Sequence, residues 1–254
     1  MTVPVRVTRD GRTLVITLDR PAARNAIDLE AALLIDAALR TLDADDALTV
    51  GVLTGAGGTF SAGMDLKAFL AGERPEVPGR GLAGLTRTPP AKPLIAAVEG
   101  YALAGGFELV LACDLVVAAE DASFGLPEVK RGLIAGSGGL LRLPQQVPQA
   151  VAMQYALTGE LMPAAVAHRW GLVNTLTPPG GALAAALELA GRIALNGPLA
   201  VRTTKQLVAG AAGWSPVEGW ARQDELLLDV LASPDAKEGA AAFVEKRPAR
   251  WAQG

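Results

Sequence analysis

Three short apolar runs, LTVGVLTG (48–55), PLIAAVEG (93–100) and DLVVAAE (114–120), are each followed by a turn and then by a helical pattern. Runs of this length and uniform apolarity read as strands covered on both faces, and such strands are parallel far more often than antiparallel. Buried strands alternating with helices predict an α/β fold with largely parallel connections. Two features depart from simple alternation. The opening segment VPVRVTRDGRTLVITLDRP alternates apolar and polar residues around Asp10-Gly11 and reads as a hairpin, and ASFGL (122–126) is an additional short strand.

Asp28 is placed to cap a helix through LEAALLIDAALRTL, with Leu29, Leu33, Ala37 and Leu42 as its apolar stripe. Residues 71–90, rich in Gly, Pro and Arg and without a period, read as a long loop or a loop with a brief helix. From Gly181 onward the patterns are helical, and residues 217–248 read as one helical stretch. With 254 residues, half of them hydrophobic, the chain has ample material for one large core.

The formal net charge of −3 argues against nucleic acid or an anionic membrane as the default partner. Cys113 and His168 are the only residues of their kinds, which excludes a disulfide framework and a multi-histidine or multi-cysteine metal cluster. Cys113 reads as a packed residue and His168 as structural. No basic flank precedes an apolar core at the N-terminus, and no apolar run reaches spanning length, so a soluble, unexported, cytoplasmic protein is expected.

Two glycine turns of the same kind follow strands and open helices. One lies in GVLTGAGGTFSAGMDLKAF, leading to a helix start at Asp65, and the other is Gly105-Gly106, opening FELVLACD. Neither fits a phosphate-binding fingerprint. Helix starts leave N–H groups unpaired, so the amides of Met64 and Gly105, if they converge, form a two-donor hole for a developing oxyanion. On spacing alone, ordinary turns explain them as well. Glu108, inside an apolar run, and Glu128, just past a strand, read singly as cap or surface acids and together as a pair able to hold a water and move its protons.

RPAARNAID, TFSAGMDL, GYALAGGFELVLACDLVVA, ASFGLPEVKRGLIAGSGGLLRLP, ALTGELMPAAVAHRWGLVN and FVEKRP together resemble the crotonase superfamily, in the order in which that family carries its motifs. The resemblance spans essentially the whole chain. It implies a crotonase-like spiral of β-β-α units with a helical C-terminal trimerisation region, divided as a core with the acyl-CoA site at 1–195 and an oligomerisation region at 196–254. It also implies an acyl-CoA thioester substrate, a trimer or dimer of trimers, and no cofactor beyond the coenzyme A of the substrate. Met64 and Gly105 would supply the oxyanion amides, Glu108 would hold the water and Glu128 would serve the C2 proton. Arg24, Ala26, Ala62, Asp65, Leu66 and Lys67, with Lys246 from a neighbouring subunit, would contact the coenzyme.

Retention of both acids favours a hydro-lyase of the enoyl-CoA hydratase type. Within the family, GFEL, LPE and SGGLLRLP are similar to carnitinyl-CoA dehydratases, while an enoyl-CoA isomerase and a non-catalytic acyl-CoA- or RNA-binding member are the competing readings. Ala104, Ala135 and Leu141 stand where glycine, proline and glutamine are common in the family, which leaves the acyl specificity open.

Overall fold

The computed structural model describes residues 3–252. A six-stranded sheet forms the centre, in the order β1 (Val5–Asp10), β2 (Thr13–Leu18), β3 (Val50–Gly55), β6 (Leu94–Val98), β8 (Leu115–Ala119) and β11 (Thr175–Thr177). The β1–β2 hairpin is antiparallel and turns through Asp10-Gly11 as expected, with Gly11 at φ 55°. Every other pairing in this sheet is parallel. A second sheet combines β7 (Tyr101–Leu103), β9 (Ser123–Gly125) and β10 (Met162–Pro163), with β7 and β9 parallel.

The chain therefore climbs in β-β-α turns. β6 and β7 lead into α3 (Gly105–Ala112), and β8 and β9 lead through a 3-10 turn (Pro127–Arg131) to α4 (Gly139–Gln146). This is the spiral that the resemblance implied. Both faces of the central strands are covered. Val50, Val52, Ile95, Ala97 and Val117 pack against Ala182, Ala186 and Ala190 of α7 (Ala182–Ala194), whose four-residue spacing lines one helix face. Leu53, Ala96, Val98 and Val116 face the other core together with α1 (Leu29–Ala44).

Asp28 caps α1 through the Ala31 N–H at 2.9 Å, but the buried face is not the one expected. Ala31, Ile35, Ala38, Leu39 and Leu42 are buried, whereas Leu33 is 50% exposed and Leu29 and Ala37 also face outward. Ile35, Leu39 and Leu42 define the core side with alanines between them, so of the expected stripe only Leu42 faces inward.

Residues 71–90 are largely loop, as expected, but with a short strand pair in place of the brief helix. They follow α2 (Leu66–Leu70) and form a ribbon, β4 (Glu76–Val77) against β5 (Gly81–Leu82), with Val77, Leu82, Ala83 and Leu85 buried. Arg80 Nε holds this ribbon to Asp36 of α1.

After β9 the remaining helices are α5 (Gln149–Thr158), α6 (Ala164–Arg169), α8 (Pro198–Ala211), α9 (Pro216–Ala232) and α10 (Pro234–Glu245). The stretch expected to run continuously from 217 breaks at Ser233, which ends α9 and caps α10 ahead of Pro234. Lys205 Nζ docks α8 to the end of the sheet by donating to Asp114 Oδ2 at 2.6 Å and to the Lys92 carbonyl at 3.0 Å.

Candidate active site

The two glycine turns meet. Met64 forms an isolated parallel bridge with Ile27, in which Ile27 N–H donates to Gly63 O and Asp65 N–H to Ile27 O. That alternation turns the Met64 N–H to the opposite side, toward the start of α3. A Cβ placed on Gly105 would lie 3.5 Å from Met64 N, so the two amides are neighbours. Among the described residues, neither N–H donates a hydrogen bond within the protein.

The approach depends on missing side chains. Gly63 sits at φ 90°, and a Cβ there would lie 2.8 Å from Gly105 N. Ala104 precedes the hole at φ 51°, ψ −127°, a conformation that suits glycine and strains alanine. Its N–H donates to Gly125 O at 2.8 Å and its carbonyl accepts from Glu108 N–H at 3.0 Å, which holds the strained turn.

Glu108 lies in the first turn of α3 and is 3% exposed. Its Oε1 accepts from Ser137 N–H at 2.7 Å and from Gly139 N–H, at the start of α4, at 2.9 Å. Burial raises its pKa; the two amides and the charge of Arg142 oppose that rise, and Glu76 adds to it. Glu128, in the 3-10 turn, has a buried Oε2 with no hydrogen-bond partner. Burial first, and then the charge of Glu108, push its pKa up to about 6. The two acids thus sense each other, and Glu108 lies in the first turn of the helix that Gly105 opens. Such a site can polarise a carbonyl with N–H donors while one acid accepts a proton and the other gives one.

Most of the residues expected to hold the coenzyme are contiguous. Ala62 N–H donates to Arg24 O at 2.9 Å, and the Ala26 carbonyl accepts from Arg20. Leu66 and Lys67 are exposed on α2. The Asp65 carboxylate is already engaged, capping α2 through Lys67 and Ala68 N–H and pairing with Arg20 at 3.0 Å. Burial raises its pKa, but these bonds outweigh burial and bring it below the usual carboxylate range. Lys246 stands apart at the C-cap of α10, exposed and at φ 53°. His168 Nδ1 lies 2.9 Å from the Val173 carbonyl, a structural bond. Cys113 is buried, and desolvation pushes its thiol pKa far up, away from thiolate chemistry.

The sequence reading passed over Ser137, Gly139, Arg142, Glu76 and Leu82. A signal existed for three of them, since Ser137, Gly139 and Arg142 all lie in the quoted SGGLLRLP. At Gly139 a Cβ would stand 3.0 Å from Glu108 Cγ, so the glycine makes room for the acid. Leu82 closes the hole from the other side, with its Cδ2 2.8 Å from where a Gly105 Cβ would be.

Residues 9–254 match the family model described as enoyl-CoA hydratase/isomerase. A carnitinyl-CoA dehydratase of Salmonella arizonae is 45% identical over 260 aligned positions, covering 99% of both chains. Among solved structures, an enoyl-CoA hydratase from Mycobacterium marinum superposes with a TM-score of 0.98 at 56% identity, covering 100% of each chain. A carnitinyl-CoA hydratase from Mycobacterium avium does so with a TM-score of 0.80 at 45% identity, again over 100% of each.

Proposed function

This chain belongs to the enoyl-CoA hydratase/isomerase family, and we propose that it is a hydro-lyase that reversibly adds water to a 2-enoyl-CoA to give the 3-hydroxyacyl-CoA. The observations that carry the reading are the mutual charge effect of the acids Glu108 and Glu128 and the approach of the Met64 and Gly105 amides at the start of the helix that bears Glu108.

The thioester oxygen takes hydrogen bonds from the Met64 and Gly105 amides, which draws electron density from C3. Glu108, as the carboxylate, removes a proton from water as the water oxygen bonds to C3. Charge moves onto the thioester oxygen, where the amides stabilise the enolate. Glu128, in its acid form, gives its proton to C2 as the carbonyl re-forms. The pair then holds the proton taken from water, and its transfer from Glu108 to Glu128 resets the site. Dehydration runs the same steps backward. A pKa of about 6 suits Glu128 to this exchange near neutral pH.

In this reading the coenzyme lies along Arg24, Ala26, Ala62, Asp65, Leu66 and Lys67. The acyl site belongs to 1–195 and subunit contacts to 196–254, where Val208, Val217, Trp220, Leu228, Phe243 and Val244 are exposed. A trimer or dimer of trimers covers those side chains and brings Lys246 to a neighbouring site. The amides and acids carry the reaction without a metal or redox group. Cytoplasmic location fits the single cysteine, and among the described residues no helix is long and apolar enough to cross a membrane.

A second reading, dehydration of a carnitinyl-type thioester, is favoured by Glu76. Its register partner Leu82 abuts Gly105, which puts both side chains on one face of the ribbon, and the Glu76 charge reaches Glu108.

Incubation with enoyl-CoA in oxygen-18 water, followed by mass analysis of the 3-hydroxyacyl product, tests the hydro-lyase reading. Label is expected in the product, with Glu108→Gln and Glu128→Gln each slowing its formation by orders of magnitude. The double variant is expected to lose far less than the product of the single losses, because the acids act as one device. Product without label, or a Glu108→Gln variant at the wild-type rate, rejects the reading.

A further inference from the structure

Arg142 lies three residues beyond Gly139 on α4, one turn from the amide that holds Glu108. Its Nη2 donates to the carbonyl of Thr86, beyond the β4–β5 ribbon. Thr86 is itself part of that ribbon's closure, since its Oγ1 accepts from Leu82 N–H at 3.0 Å. Leu82 is the side chain pressed against Gly105. A continuous path therefore runs from the Glu108 cradle, through Arg142 and Thr86, to the wall of the amide hole. The guanidinium also folds back over Gly138, where a Cβ would collide with Nη1, so this glycine is needed for the side chain to reach its place.

We infer that Arg142 is a positioning residue: its guanidinium ties the ribbon that covers Gly105 to the helix that cradles Glu108, and sets its charge against that carboxylate. The inference rests on the reading of Glu108 as the group that deprotonates water. Arginine suits the task because one end of its guanidinium can donate to the Thr86 carbonyl while its positive charge acts on Glu108. The groups facing Glu108 are Arg142 from α4, Glu76 from β4 and Glu128 from the 3-10 turn. Arg142 is the cation of that set, and it offsets two like charges.

The test compares Arg142→Met, Arg142→Gln and Arg142→Lys with the wild type in pH profiles of hydration. Without the cation, the acid limb that reports Glu108 moves upward by about one pH unit. Below that limb kcat falls roughly tenfold, while KM stays within about threefold, since the role inferred for Arg142 acts through Glu108 and the ribbon. Arg142→Lys restores the limb because it restores the charge. Arg142→Gln keeps a donor for the Thr86 carbonyl but not the charge, so it shows the shifted limb and replaces Arg142→Met if that variant does not fold. An acid limb unmoved in the neutral variants overturns the inference, as does a lysine variant that behaves like them. Carboxyl titration in carbon-13 glutamate-labelled protein, with Glu108 assigned through Glu108→Gln, reads the same coupling without turnover. An enzyme that hydrates nothing would fail the proposed function yet still show Glu108 titrating higher in Arg142→Met; an unchanged Glu108 titration would defeat the positioning role alone.

Discussion

Glu108 Oε1 and Gly139 N–H are joined at 2.9 Å across 31 residues of chain, so the acid of α3 is held by the first residue of α4. A carboxylate at a helix N-terminus gains from the unpaired amides there, which offsets part of the cost of burying its charge. Gly139→Ala adds a Cβ 3.2 Å from that oxygen and 3.0 Å from Cγ. The carboxylate has to give way by a few tenths of an ångström. We expect kcat to fall at least tenfold with KM little changed and Tm within about 2 °C, because alanine also favours the helix. Steady-state kinetics and a melting curve check this, and full activity in Gly139→Ala would show that the cradle does not set the position of the acid.

Ala104 occupies a backbone region that costs a residue with a Cβ about 1–3 kcal/mol. Ala104→Gly relieves that strain but loses roughly 0.5–1 kcal/mol to the greater freedom of the unfolded chain. The net expectation is a gain of about 1 kcal/mol, seen as a Tm rise of roughly 2–4 °C for a domain of this size. A lower Tm in Ala104→Gly would mean that the alanine methyl contributes packing greater than the strain.

The pKa of Glu128, raised from 4.5 to about 6, links activity to stability. Because the folded value lies above the unfolded one, folding favours the acid form. The contribution is therefore fully present below about pH 4.5 and is lost as pH rises through about 6. Glu128→Gln removes this dependence, so it should be more stable than wild type at pH 8 by up to about 2 kcal/mol, with the difference shrinking as pH falls toward 4.5. Denaturant midpoints at the two pH values measure it. A constant difference across that window would show that Glu128 titrates alike in the folded and unfolded chain.

Much of the fold could be read from local pattern because the central strands are buried on both faces and their sequences are unbroken apolar runs. The hairpin at Asp10-Gly11 and the capping by Asp28 were equally local. Of the α1 stripe expected from the leucines only Leu42 is buried, because the core side also takes Ile35 and Leu39 with alanines between them, a mixture that leucine positions alone do not mark. The burial of 71–90 was hidden because strands of two residues carry no period, and what holds them is Asp36, more than 40 residues earlier, and Arg142, more than 50 later. For the site, the positions of the two acids and the two amides rested on family motifs. The Ser137 and Gly139 cradle joins segments about 30 residues apart, and no spacing rule within one helix or turn reports such a meeting.

Glu76 separates the two substrate readings. It makes no ion pair among the described residues, lies on the ribbon face shared with Leu82, and adds its charge to that of Glu108. A neutral enoyl chain gains nothing from this arrangement. A cationic group beyond C4 relieves the repulsion among the carboxylates, and near a partly exposed acid such an attraction amounts to about 1 kcal/mol. The comparison needs two ligands of one shape that differ only in charge: 4-trimethylammoniobutanoyl-CoA and 5,5-dimethylhexanoyl-CoA, in which carbon replaces nitrogen. Both are saturated, so neither reacts, and calorimetry reads binding alone. If the carnitinyl reading holds, wild type binds the cation several-fold more tightly than its isostere, and Glu76→Gln reduces the ratio about fivefold. The preference should weaken with added salt, because Glu76 is exposed. Equal affinities in wild type would assign the site to neutral enoyl chains, and a preference that survives Glu76→Gln would move the recognition of the cation to Glu108.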